Sequence, residues 1–183
     1  MNATQRSDYW LRVERLRRSL DRKYSSLFYG VLKSELEAFA RDVKRVGPQA
    51  AMSNLGAVAW DEKIMPIMRD MYREIGVKFG NATFRAISVD SKKAANPYGL
   101  NDEFLDELTS FLIQYGFYLA ALMTKTTKDR LILLVTKALT DGLSTDDIIL
   151  LILSDAQMRY ARYRATMIAR TIVTGKQIGR AHV

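Results

Sequence analysis

From Ser7 to Val46 the chain runs for 40 residues with one glycine and no proline. Proline inside a helix costs about 3 kcal/mol and glycine about 1 kcal/mol relative to alanine. A stretch with so little to interrupt it predicts one continuous helix of about eleven turns. Val13, Leu16, Leu20, Tyr24, Leu27, Val31 and Leu36 recur at steps of three to five residues and supply its apolar stripe. Gly47-Pro48 predicts the stop, with glycine just past the last turn and proline beyond it. A rod of this length needs other helices laid along it to bury its stripe. It therefore points to an all-α protein.

The rest of the chain agrees. A short helix is expected up to Leu55, then a second long one over Asp61–Ile87. Its face would be Ile64, Ile67, Met68, Met71, Ile75, Phe79 and Ala82. Pro66 falls near its start and either begins or kinks it. Ser88 to Asn101 collects Ser, Asp, Asn, Pro and Gly and reads as a linker. Two helices are then expected, Asp102–Met123 and Thr127–Thr140. Gly142 follows as a C-terminal stop, and Ser144-Thr145-Asp146-Asp147 resembles a capping box. The run 148–153 (IILLIL) would then be a short buried helix rather than a strand, and Ser154-Asp155 would open the last helix. The predicted organisation is a helical region over 1–88, a linker over 89–101 and a more compact multi-helix core over 102–177. The longest nearly apolar run, Phe111–Met123, is broken by Gln114 and is shorter than the roughly 20 residues that span a bilayer. No signal-peptide h-region opens the chain, and no membrane association is expected.

The net charge of +8 is unevenly placed. Residues 1–47 hold 11 basic and 6 acidic side chains, residues 48–103 hold 7 and 7, and residues 104–183 hold 10 and 7. The excess at the two ends has two readings, solvated helix faces or a surface for a polyanion or an acidic partner. On the first helix Arg12, Arg15, Arg18 and Arg22 lie on overlapping sides, and Lys23 extends the group. On the last helix Arg159, Arg162 and Arg164 alternate with Tyr160 and Tyr163, a mixture suited to phosphates or acidic helices. The opposite side of that helix carries Ala161, Ala165 and Ala169 at four-residue steps. This small-residue seam admits a close neighbour, expected to be the helices of 127–153.

The chemistry on offer is thin. There is no cysteine, and the one histidine is His182, so neither a thiolate nor a Ser-His-Asp arrangement can be assembled from the body of the chain. No phosphate-cradling glycine loop is present. Asp146, Asp147 and Asp155 could in principle hold a hard cation, but two of them are better explained as acids at helix starts. No cofactor, metal or small-molecule substrate is expected, and no enzymatic activity.

From Thr126 onward the sequence reads TTKDRLILLVTKALTDGLSTDDIILLIL and later RYRATMIART. It resembles the phage head-morphogenesis family, the Mu F-like minor capsid proteins. Thr126-Thr127 match the family's Thr-Thr-led helix, Gly142-Leu143-Ser144 its turn, and Ala169-Arg170-Thr171 its closing motif. Residues 71–86 (MYREIGVKFGNATFRA) look like the segment often found upstream. Where the family carries Glu after Ala-Arg-Thr this chain has Ile172, and the family's following Asn-x-Gly is absent. The resemblance implies a minor head protein acting near the portal in procapsid assembly. Its partners would be portal and capsid proteins and, without sequence preference, double-stranded DNA. Its place would be the virion head interior or portal region, reached through the host cytoplasm. The alternatives are a general helical nucleic-acid-binding protein and, from a third class, a metal-dependent nuclease. Ile178-Gly-Arg-Ala-His-Val183 reads like the translation of a short-read sequencing adapter and is expected to stand outside the folded unit.

Overall fold

A computed structural model describes residues 3–55, 60–87 and 102–174. These form six helices: α1 (Ala3–Val46), α2 (Pro48–Leu55), α3 (Trp60–Ile87), α4 (Asp102–Thr140), α5 (Thr145–Leu153) and α6 (Asp155–Thr174). The expected linker 88–101 and the tail 178–183 lie outside the described residues.

α1 is the spine. α6, α3, α5 and α2 all pack along it, α6 most extensively, while α4 lies mainly against α3 and also meets α2 and α5. The face that does this work is Leu20, Tyr24, Phe28, Leu32, Leu36, Phe39, Ala40 and Val43, all buried. It is rotated from the stripe expected from sequence. Leu27 is exposed and Val31 half-buried, because neighbours arrive on two sides of α1 and centre the buried arc on Phe28 and Leu32. On α3 the buried line is Trp60, Ile64, Met68, Met71 and Tyr72, with Ile67, Ile75, Phe79 and Ala82 half-buried. Pro66 sits inside α3 rather than opening it.

The stops follow backbone chemistry. Gly47 has φ 85° and its N–H donates to the Val43 carbonyl at 3.0 Å. Gly142 has φ 75°; its N–H reaches the Leu139 carbonyl at 3.1 Å and that of Leu143 reaches Ala138 at 2.9 Å. That pair of bonds is a Schellman closure, and it needs the left-handed backbone that glycine adopts without strain. Ser144 then caps α5. Its hydroxyl accepts from the Asp147 N–H at 3.2 Å, and the Asp147 carboxylate accepts from the Ser144 N–H at 3.3 Å.

Two sequence expectations need correction. Residues 102–140 form one helix, not two. The supposed break at 124–126 is bridged by hydroxyls that fold back on their own helix. Thr126 Oγ1 donates to the Leu122 carbonyl at 2.8 Å and Thr127 Oγ1 to Met123 at 3.0 Å, so neither side chain competes for a helix end. The seam of α6 also faces a different partner. Ala161, Ala165 and Ala169 are fully buried, with Ile168, Ile172 and Val173 beside them, but they lie along α1 rather than along 127–153. Arg162 lies over the Tyr29 ring at 5.2 Å, and Arg170 Nε is 4.0 Å from Asp21 Oδ2, so α6 runs antiparallel to α1. The helical regions on either side of 88–101 thereby share one core.

Candidate nucleic-acid and partner interface

α1 is longer than the core that covers it. Its first fully buried side chain is Leu20. The segment Ala3–Ser19 holds only exposed and half-buried residues, with Trp10 63% and Leu11 54% exposed. It forms an arm of about five turns. The arm carries Arg6, Arg12, Arg15, Arg17 and Arg18 against Asp8 and Glu14, a net charge of +3.

Acids on α1 neutralise some of these arginines. Arg17 donates to both Glu14 oxygens at 2.8 Å and to Asp21 Oδ2 at 3.0 Å, and Arg18 donates to Glu14 Oε1 at 2.8 Å. The bonds from Arg17 and then Arg18 hold the Glu14 carboxyl at about 2. Arg12, Arg15 and Arg22 are exposed and make no ion pair among the described residues. Their spacing of three and seven residues aligns them on one side of the helix. They form an open cationic strip; of the other two residues expected to join it, Arg18 is paired with Glu14 and Lys23 with Glu74.

The remaining candidates are placed differently. Lys23 Nζ pairs with Glu74 Oε2 at 2.5 Å and lies over the Tyr24 ring. Glu74 also accepts from the Tyr24 hydroxyl at 2.6 Å and from Lys78 at 2.6 Å. Burial pushes the Glu74 carboxyl up, but the bonds from Lys23, Lys78 and Tyr24 together outweigh it and hold the group at about 2. Arg162 lies over the Tyr29 ring at 5.2 Å and stays exposed, and Arg164 is half-buried with its Nε lacking an acceptor among the described residues. The Arg159 side chain lies outside the described residues. α6 is thus a helix docked on α1 that keeps Arg162 exposed, and the unpaired cationic strip lies on α1.

The family-like positions play structural parts. Thr126 and Thr127 sit within α4, not at a helix start as the resemblance implied, because their hydroxyls bond back along the helix. Gly142 and Ser144 make the turn and cap described above. Ala169 is buried in the seam, and Arg170 reaches Asp21 on α1. The Thr171 side chain lies outside the described residues. Asp21 is the residue that sequence reasoning missed. It is buried between Arg17 and Arg170 with Oδ1 unpartnered; burial drives its carboxyl up, and the two arginines only partly offset this. Its four-residue spacing from Arg17 was visible in the sequence; its meeting with Arg170 was not.

Elsewhere a cavity of about 340 Å³ opens between α1, α2 and the start of α3, lined by Phe39, Ala51, Leu55 and Trp60 among others. Its acids are already matched: Glu35, 2% exposed, pairs with Lys63, and Asp42 pairs with Arg45. Among the described residues no group of three or more Asp, Glu, His or Cys side chains is placed to hold a metal ion, and no helix is long and apolar enough to cross a membrane. No family model, curated protein or solved structure matches the chain.

Proposed function

We propose that the chain is a minor structural and assembly protein of a tailed-phage head, working beside the portal and touching packaged DNA without sequence preference. The observation that carries the DNA contact is the strip Arg12, Arg15 and Arg22, exposed and unpaired on a helix whose other end is anchored in the core. A helix with a cationic strip along one exposed side can lie along a phosphate backbone. It has no group arranged to read base edges. The order of the Thr-Thr, Gly-Leu-Ser and Ala-Arg-Thr segments supports the assembly role, through the family resemblance alone.

Fluorescence anisotropy with a labelled duplex tests the DNA contact. Affinity should fall steeply with salt, with a log-log slope of about −0.9 per contacted phosphate, and shuffled duplexes should bind alike. Replacing Arg12, Arg15 and Arg22 with Glu should flatten that slope. Absence of binding at low salt would refute the DNA contact. Co-expression with portal and major capsid proteins encoded beside the gene tests the assembly role. The chain should enter procapsids, and heads that form identically while excluding it would refute that role.

A further inference from the structure

The side of α1 that carries Arg12, Arg15 and Arg22 does not end with the arm. From Leu11 to Val46 every exposed charged side chain of the helix is basic. The acids in that span lie further in: Glu14, Glu37 and Asp42 are half-buried, Asp21 and Glu35 buried. Near the far end of the helix Arg41 and Lys44 are exposed, and neither makes an ion pair among the described residues. At about 100° per residue, Arg12, Arg15, Arg22, Arg41 and Lys44 fall within about a third of the helix circumference. That third lies opposite the buried face centred on Phe28 and Leu32.

Between the two groups the same side presents Ser26, Gly30 and the pair Lys33–Glu37, joined at 3.7 Å, so it holds no unpaired charge among the described residues. Gly30 lies inside the helix without a positive φ, and a Cβ there would meet no atom within 4 Å. Neither a turn nor internal packing calls for a glycine at that point. Centre to centre, about 26 residues separate Arg12, Arg15 and Arg22 from Arg41 and Lys44, which is about 39 Å along the helix. One turn of B-form DNA advances about 34–36 Å. The difference is within the reach of long cationic side chains.

We infer that α1 engages double-helical DNA along its whole exposed side, with Arg12, Arg15 and Arg22 on one crossing of the phosphate backbone and Arg41 and Lys44 on the equivalent crossing one turn away. The low-profile stretch from Ser26 to Gly30 faces the groove between them. This rests on the DNA contact proposed above and adds to it a second contact group and a fixed spacing. A single strand or another flexible polyanion has no such repeat, so the ligand selected is the duplex.

Fluorescence anisotropy on the full chain tests this with labelled duplexes of about 8 and about 16 base pairs and a single strand of the longer length. Arg12 to Lys44 spans about 48 Å, or about 14 base pairs, so only the longer duplex reaches both groups. After allowance for overlapping sites, it should bind at least roughly tenfold more tightly than the shorter duplex or the single strand, the gain from a second tethered contact. Arg41→Gln with Lys44→Gln should abolish that gain and lower the salt slope on the longer duplex by about 0.9 per lost phosphate contact. Lys44→Gln and Lys137→Gln each remove one exposed lysine from the last turn of a helix, α1 and α4 respectively, and only the first should weaken the longer complex. Circular dichroism should show every variant folded, since exposed charges contribute little stability. Equal affinity for the two duplexes overturns the inference. So does a single strand that binds as tightly as the longer duplex, or a Lys137→Gln effect equal to that of Lys44→Gln, which would reduce the ridge to net charge. In those cases a loss of duplex binding on replacing Arg12, Arg15 and Arg22 would still uphold the DNA contact itself. No binding to any duplex sinks both.

Discussion

The arm and the body of α1 belong to one helix with one hydrophobic periodicity, yet they have different fates. From Leu20 to Val43 the face centred on Phe28 and Leu32 is shut away beneath α6, α3, α5 and α2. From Tyr9 to Leu16 the same positions, Tyr9, Val13 and Leu16, are only half-buried, while Trp10 and Leu11 stand exposed. Periodicity thus reports which face of a helix is able to bury, and only the neighbours decide how much of that face does. The charges differ in the same way. Around Leu20–Tyr24 the ionic groups are knitted to other helices, through Asp21 to Arg170 and Lys23 to Glu74. On the arm the ion pairs that form run along α1 itself, and Arg12 and Arg15 stay open.

The contrast predicts a steep gradient of mutational cost along α1. Phe28→Ala should destabilise the protein by about 3–5 kcal/mol in urea melts followed by circular dichroism, since a fully buried ring leaves a cavity. Ala165→Leu should cost about 1–3 kcal/mol by overpacking the seam between α1 and α6. A neutral result there would mean that α6 does not lie closely on α1.

The two carboxylates at the junction of arm and body, Asp21 buried and Glu74 half-buried, should respond to pH in opposite directions. Glu74 sits at about 2 in the fold against an ordinary 4.5. Its contribution is complete above the unfolded value and fades as pH falls from about 4.5 toward 2. Glu74→Gln should therefore cost about 1–3 kcal/mol at neutral pH, from lost charged hydrogen bonds, and should flatten the acid limb of the stability profile. Asp21 is raised above its ordinary 3.8 by burial, so its favourable contribution belongs to the protonated form and is lost as pH rises through the folded value. Asp21→Asn should leave stability at neutral pH unchanged or higher, measured by the same melts at stepped pH. A large loss would show that the bonds from Arg17 and Arg170 outweigh the burial.

The smallest effect is expected on the arm. Trp10→Ala should shift stability by no more than about 0.5 kcal/mol, as a surface substitution with little burial to lose. A cost near that of Phe28→Ala would place Trp10 against another part of the same molecule.

The helical class was legible because its causes are local. Forty residues without proline, glycines at the left-handed stops 47 and 142, and a Ser144–Asp147 cap each act within one turn of chain. The open arginines of the arm were legible too, since their three- and seven-residue spacing needs no partner to be read. The partners of α6 were not. Ala161, Ala165 and Ala169 announce a close contact but carry no address, and α1 is more than 100 residues away in sequence. Nor could composition tell that Lys23 would pair with Glu74 and Arg162 would lie over Tyr29 while Arg12 and Arg15 would stay unpaired. Backbone propensity, capping and periodicity are properties of neighbours along the chain, and the sequence by itself determined them. Which cationic groups are neutralised, and where on α1 the apolar stripe stops being covered, depend on what packs across from it, and only the tertiary structure decided that.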